Sequence, residues 1–236
     1  MTERSRASVQ RSRRELAVGP SRVSWQDDSL LIEIDEISVP IPRRVRGRLR
    51  VRPEALCSFV APLDDAGRHR WGPIAPCSRI EVEFEQPALR WQGHAYLDSN
   101  EGDEPIDGPF VEWDWSRGLL ADGSAAVIYD VRQKRGADRV IAQRFMPDGG
   151  SSPFEPPPRQ ALPRTAWRIG RTMRSDTAVP ARVTQTLEDT PFYVRSVLSS
   201  GLFGERVTSV HETLNVSRLV SAPVQWMLPW RMPRVR

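Results

Sequence analysis

The sequence predicts an all-β, antiparallel fold. Its segments alternate apolar and polar residues with a period of two, 21 prolines and 15 glycines cut the 236-residue chain into short pieces, and helical periodicity is scarce.

Taken in chain order, LLIEIDEISV (30–39) is the first clear alternating run. Arginines 44, 46, 48, 50 and 52 then alternate with Val45, Gly47, Leu49 and Val51, which in a strand sets a guanidinium row on one face and a smaller apolar row on the other. Two readings stay open for that row. It is a phosphate-contacting edge, or it is a solvated face that also blocks edge-to-edge pairing, and the second is preferred. RIEVEFE (79–85) places Ile80, Val82 and Phe84 on one side and Glu81, Glu83 and Glu85 on the other, as a half-buried antiparallel strand requires. AAVIYDV, RVIAQRF, ARVTQTLE, FYVRSVLS and RVTSVHETL continue the pattern. Turn signals at Asp122-Gly123, Arg135-Gly136 and Pro147 to Gly150 punctuate it. Closely spaced strands with short turns favour a barrel or sandwich.

Residues 150–165, GSSPFEPPPRQALPRT, read as a stiff surface loop. The best helix lies from about Val216 to Leu228, where Leu219, Val220, Val224 and Met227 form one apolar stripe, with Pro223 arguing against a straight helix.

Lys134 is the single lysine among 34 basic side chains, so the net charge of +4 is carried by arginine. That charge suits anionic surfaces in general; nucleic-acid binding rests on it alone, with no aromatic interleaving for base stacking. No long uncharged apolar run can span a bilayer, and the opening residues lack a signal-peptide core, which places the chain in the cytoplasm, at most against a membrane. Cys57 and Cys77 are expected as reduced thiols. Three histidines and no Cys-x-x-Cys argue against a closed zinc site. G-x-S-x-G, Gly-rich phosphate loop and H-E-x-x-H signatures do not occur.

The chemistry concentrates between residues 67 and 117. Trp71, Trp91, Trp113 and Trp115 are half of the chain's eight tryptophans and read either as barrel core or as the wall of an apolar pocket. In extended chain the i, i+2 pairs His69 with Trp71 and Tyr96 with Asp98 each project to one side, so two neighbouring strands can aim an imidazole, an indole, a phenol and a carboxyl into one cavity. Taken singly, each residue also has an ordinary structural role.

The run HRWGPIAP, followed by GHAYLDSNEGDEP and FVEWDWSR, resembles the carotenoid 1,2-hydratases, also called hydroxyneurosporene synthases. The resemblance continues through FEPPPRQALPRTAWR and TLEDTPFYVRSVL to QWMLPWRMP. It implies two consecutive lipocalin-like antiparallel β-barrels, the first (1–78) incomplete and the second 79–236, with a short C-terminal helix. MTERSRASVQRS resembles an internal segment of the family, which implies that an upstream strand-rich stretch is absent here. It implies four catalytic residues, His69, Trp71, Tyr96 and Asp98, with Asn100, Trp91, Trp113 and Trp115 as weaker substrate-binding candidates. Glu101 departs from the tryptophan expected after Asn100.

The implied chemistry is hydration of the terminal C1=C2 bond of an acyclic carotenoid of neurosporene or lycopene type. Such an isolated alkene must be protonated at C2 before water attacks the tertiary cation at C1, and no cofactor is required. Asp98 is the expected proton donor if burial raises its pKa. The Trp71 face is expected to stabilise the cation, Tyr96 to hold Asp98, and His69 to orient the carboxyl or the water. The partners implied are the carotenoid, water and peripheral contact with the inner or photosynthetic membrane, with no nucleic acid. Trp226 and Trp230 beside Arg231, Arg234 and Arg236 are the candidate membrane anchor. The competing reading is a non-catalytic lipocalin-like carrier of a lipophilic ligand.

Overall fold

A computed structural model describes residues 3–39, 41–231 and 234–235. The first half of the chain forms β1 (Glu3–Arg4), β2 (Val9–Arg11), β3 (Glu15–Val18), β4 (Ser21–Gln26), β5 (Ser29–Ile37), β6 (Arg44–Pro53), β7 (Ala61–Pro62), β8 (His69–Gln86) and β9 (Leu89–Gly102). The second half forms β10 (Phe110–Leu119), β11 (Ala125–Gln133), β12 (Arg139–Phe145), β13 (Ser151–Pro153), β14 (Arg159–Ala161), β15 (Thr172–Arg174), β16 (Arg182–Asp189), β17 (Tyr193–Leu202) and β18 (Glu205–Asn215). Helices α1 (Val216–Leu219) and α2 (Ala222–Arg231) and strand β19 (Arg234–Val235) follow.

Every alternating run became a strand. β2 to β6 form an antiparallel meander; β6 pairs with the far half of β8, β7 with its near end, and β9 with its other edge. The second sheet has the order β13-β12-β11-β10-β18-β17-β16. The all-β, antiparallel class and the short C-terminal helix are therefore as expected, but both sheets are open among the described residues and neither closes into a barrel. The physical reason lies in β11, buried from Ala125 to Val131 on both faces. One face packs on Trp71, Cys77 and Leu63; the other is covered by Phe154 of the Pro-rich segment. A sheet sandwiched in this way shields its faces without closing on itself.

The Pro-rich segment is thus more than a surface loop. It contributes β13 to the sheet edge, and β14 pairs with β15 into a ribbon that places Leu162 and Met173 against Leu198.

Strand β6 is paired on both sides, so its arginines block no edge. They meet acids across the sheet instead: Arg44 with Asp35 at 2.8 Å, Arg48 with Glu83 at 2.7 Å, Arg52 with Glu81 at 2.8 Å and Arg46 with Glu85 at 3.5 Å. These pairs are exposed and solvent-screened, so they serve mainly to neutralise the row.

At the C-terminus the helix splits before Pro223, which sits in the first turn of α2 where its missing N–H removes no bond. The single apolar stripe is not formed: Val224 is buried, but Val220 and Met227 are exposed and Trp226 is 86% exposed. The side chains of Trp230, Arg231, Arg234 and Arg236 lie outside the described residues. No helix among those described is long and apolar enough to cross a membrane.

Beneath the β14–β15 ribbon the second sheet carries a buried polar layer. Asp114 accepts from Thr172 Oγ1 and Thr213 Oγ1, both at 2.6 Å, and His211 Nε2 donates to the Thr172 carbonyl at 2.7 Å. Burial pushes the Asp114 carboxyl up to about 6 despite its threonine donors and pushes the His211 imidazole down to about 4. The two act in opposite senses. Stability from neutral His211 is present above 6.5 and lost as pH falls through about 4; stability from protonated Asp114 is present below 3.8 and lost as pH rises through about 6. Each spans roughly 2 to 2.5 pH units, or about 3 kcal/mol. Accordingly, urea unfolding should show the stability advantage of the unsubstituted chain over His211→Gln shrinking by about 3 kcal/mol between pH 7 and pH 4; a pH-independent difference would contradict a buried neutral imidazole.

Candidate active site

The near half of β8 packs between the sheets, and β9 runs antiparallel beside it with His69 opposite Gly102, Trp71 opposite Asn100 and Pro73 opposite Asp98. Residues directly opposite share a face, so the strand pair places His69, Trp71, Asp98 and Asn100 on one side. Register shifts between Pro73 and Ser78 add residues to β8, and such bulges bend a strand.

Trp71 is fully buried, with the rings of Phe59, Tyr129 and Phe145 at 5.9, 5.7 and 6.1 Å. Its indole Nε1 donates to Asp98 Oδ2 at 2.9 Å. Burial raises the Asp98 carboxyl above its ordinary value, and the Trp71 indole and Tyr96 phenol offset part of the rise because both favour the charged form. The Tyr96 phenol is itself pushed well up, first by burial and then by the Asp98 charge. Although near enough to Asp98 for each to affect the other's ionisation, the buried Tyr96 hydroxyl has no partner in hydrogen-bond geometry among the described residues.

Asp98 opens on a cavity of about 500 Å³ between β9 and the second sheet. Its floor is read directly from the strand register. One cross-strand row is Tyr129, Trp115, Glu212 and Arg195; Trp113, Leu214 and Tyr193 lie in the row on one side, and Arg117 and Val210 in the row on the other. Tyr96 is clamped between the Trp115 ring, 5.3 Å away, and the Arg117 guanidinium, 5.4 Å from its centroid. The Tyr129 hydroxyl makes a long contact to Asn100 Oδ1 at 3.5 Å. Nowhere among the described residues do three His, Cys, Asp or Glu side chains converge as a metal site.

The result is a lone raised carboxyl at the wall of an aromatic cup, built from the residues of GHAYLDSN and VEWDWSR. The sequence profile described as carotenoid hydratase CrtC matches residues 1–236, the whole chain. The chain belongs to the carotenoid hydratase family. It is similar to the acyclic carotenoid 1,2-hydratase of Rubrivivax gelatinosus, with 68% identity over 234 residues, covering 99% of this chain and 58% of that protein. Similarity to the enzyme of the same name from Thiocapsa roseopersicina is 49% over 236 residues, covering 100% and 58%. For that from Cereibacter sphaeroides it is 36% over 235 residues, covering 99% and 84%. The chain thus spans about 58% of the length of the first two relatives.

Of the residues matched to the carotenoid hydratase motif, the structure joins Trp71, Tyr96 and Asp98. Asn100, Trp113 and Trp115 line the same cavity. His69 is buried two residues beyond Trp71, its ring edge-on to Phe110 at 4.9 Å and pressed so close to Gly102 that a Cβ there would lie 2.6 Å from Nδ1. It stands roughly 13 Å along the strand from the level of Asp98 and makes no hydrogen bond to it. Trp91 is not brought to the cavity: it is 47% exposed and opposite Val82 at the far end of β9. Trp71 has no cavity-facing ring, so its position suits holding Asp98, and the faces available to a cation belong to Trp113, Trp115 and Tyr129. Glu101 is exposed and alternates away from the face of Asp98 and Asn100.

Arg117, Tyr129, Tyr193, Arg195 and Glu212 were not singled out from the sequence. Arg117 was within reach, since it continues the i, i+2 series of Trp113 and Trp115. Tyr129 lies opposite Trp115 on the next strand along the chain, whereas Tyr193, Arg195 and Glu212 reach the cavity through the distant pairing of β10 with β18.

Removing the indole donor has a direct readout. In Trp71→Phe the Asp98 pKa, followed by carboxyl-carbon NMR, should rise further, because a charge-assisted bond favouring the ionised form is lost; an unmoved pKa would show that the bond is not made.

Proposed function

We propose that this chain hydrates the terminal C1=C2 bond of an acyclic carotenoid. The observation that carries the reading is the Asp98 carboxyl, raised by burial, fixed by the Trp71 indole and open to a cavity walled by Trp113, Trp115 and Tyr129. The volume of about 500 Å³ fits the end of such a chain and leaves the remainder of the polyene to protrude.

In this reaction Asp98 delivers its proton to C2 and the π electrons form the new C–H bond. The positive charge at C1 is tertiary and faces the indoles and the Tyr129 ring, each worth about 2 kcal/mol in a desolvated site. Water then closes the C1–O bond and loses a proton, which balances the one that Asp98 delivered. Trp71 and Tyr96 receive the conjugate base by favouring its charge, so the groups that restrain the rise in pKa also ease the transfer. His69 acts as a positioning residue through Phe110, whose ring lies 5.7 Å from Trp113. The same reading divides the chain near residue 78 into parts of two lipocalin-like units, with β8 running through both.

Incubation with lycopene should give a product heavier by one water, and Asp98→Asn should abolish it, a loss of at least about 100-fold. Binding without product would support a carrier instead, and full turnover by Asp98→Asn would remove the carboxyl from the donor role.

A water-insoluble substrate is met at a lipid surface, and the exposed Trp226 of α2 supports contact there. Co-sedimentation with anionic liposomes should weaken several-fold in Trp226→Ala; undiminished binding would reject α2 as the contact.

A further inference from the structure

Two carboxylates line the cavity, and the reaction as derived uses one. Asp98 projects from β9; Glu212 projects from β18 on the cavity floor, directly opposite Trp115 in the ladder and in the same row as Tyr129. Their surroundings differ. Among the described residues Asp98 has no arginine partner, whereas Glu212 Oε1 accepts from Arg195 Nε at 2.8 Å and its Oε2 is engaged by no other. The pair is therefore asymmetric, with a proton carrier on the wall and an ion-paired acceptor on the floor.

The second observation is the pattern of polar atoms without partners. Of the buried side-chain nitrogens and oxygens that find no protein partner among the described residues, four belong to this cavity: the Tyr96 and Tyr193 hydroxyls, Trp115 Nε1 and Arg117 Nε. Buried polar atoms are almost always bonded to something, and a cavity of this size with several such atoms holds water. They mark a polar track from Tyr96 beside Asp98 to Tyr193, whose phenol is raised first by burial and then by the neighbouring Glu212 charge.

We propose that Glu212, with the Tyr193 hydroxyl, holds the attacking water on the cavity floor and takes its proton as the C1–O bond forms. This deepens the hydratase reading and rests on it. The steps balance. The Asp98 O–H bond breaks as the alkene pair makes C2–H; a water lone pair makes C1–O; the water O–H bond breaks and its proton passes to Glu212. Transfer of that proton through cavity water back to the Asp98 carboxylate restores both groups, and the net change is addition of one water.

The arrangement separates protonation from water capture, and lycopene in D₂O reports on each. A cation that is not captured returns a proton to Asp98, so deuterium enters the recovered lycopene. With Glu212→Gln, hydration should fall about 100-fold or more while deuterium entry continues, and Glu212→Asp, which keeps the carboxylate, should regain much of the hydration. Continued exchange also shows that the substituted site is folded. Hydration within about threefold of the unsubstituted chain in Glu212→Gln, joint loss of hydration and exchange, or no gain in Glu212→Asp over Glu212→Gln would each overturn the role of Glu212. Absence of both hydration and exchange in the unsubstituted chain would overturn the hydratase reading itself, and this proposal with it.

Discussion

The arrangement depends on one hydrogen bond, from the Trp71 indole to the Asp98 carboxyl. It joins the most deeply packed side chain of β8 to the only acid that β9 places on the cavity wall. A carboxyl carried on a strand that is partly exposed would ordinarily sample several rotamers and turn to solvent. Anchored to an indole that is itself locked by three aromatic rings, it keeps one orientation, and the rigidity of the core becomes precision at the site. The same bond opposes the effect of burial on the carboxyl by favouring its charged form.

The fold class was legible because strand alternation is local. Glu81, Glu83 and Glu85 and the arginines of β6 were assigned to faces from spacing alone, and the ladder pairs them as that spacing implies. What spacing does not contain is which strand lies next to which. That is why the arginine row was read as belonging to an edge when β6 is in fact flanked by β5 and β8.

The site divides along the same line. Tyr96 and Asp98, two apart on one strand, were found together; Glu212 was not, because it reaches Trp115 only through pairing of β10 with β18, almost a hundred residues later. Trp91 shows the converse failure. It belongs to the same strand as Asp98 and the same aromatic-rich stretch, yet seven residues of extended chain carry it roughly 23 Å away, so proximity in sequence misled. Open sheets in place of closed barrels followed from a feature visible in AAVIYDV, a nearly continuous apolar run that marks a strand covered on both faces.

Strand β8 belongs to the ladder with β6 at one end and to the aromatic interior with Trp71 at the other, an 18-residue span without interruption. A strand held in common leaves no place at which one half of the molecule can melt and the other persist: fraying the meander strips partners from the very backbone that carries Trp71. The molecule is consequently disposed to denature as one cooperative body.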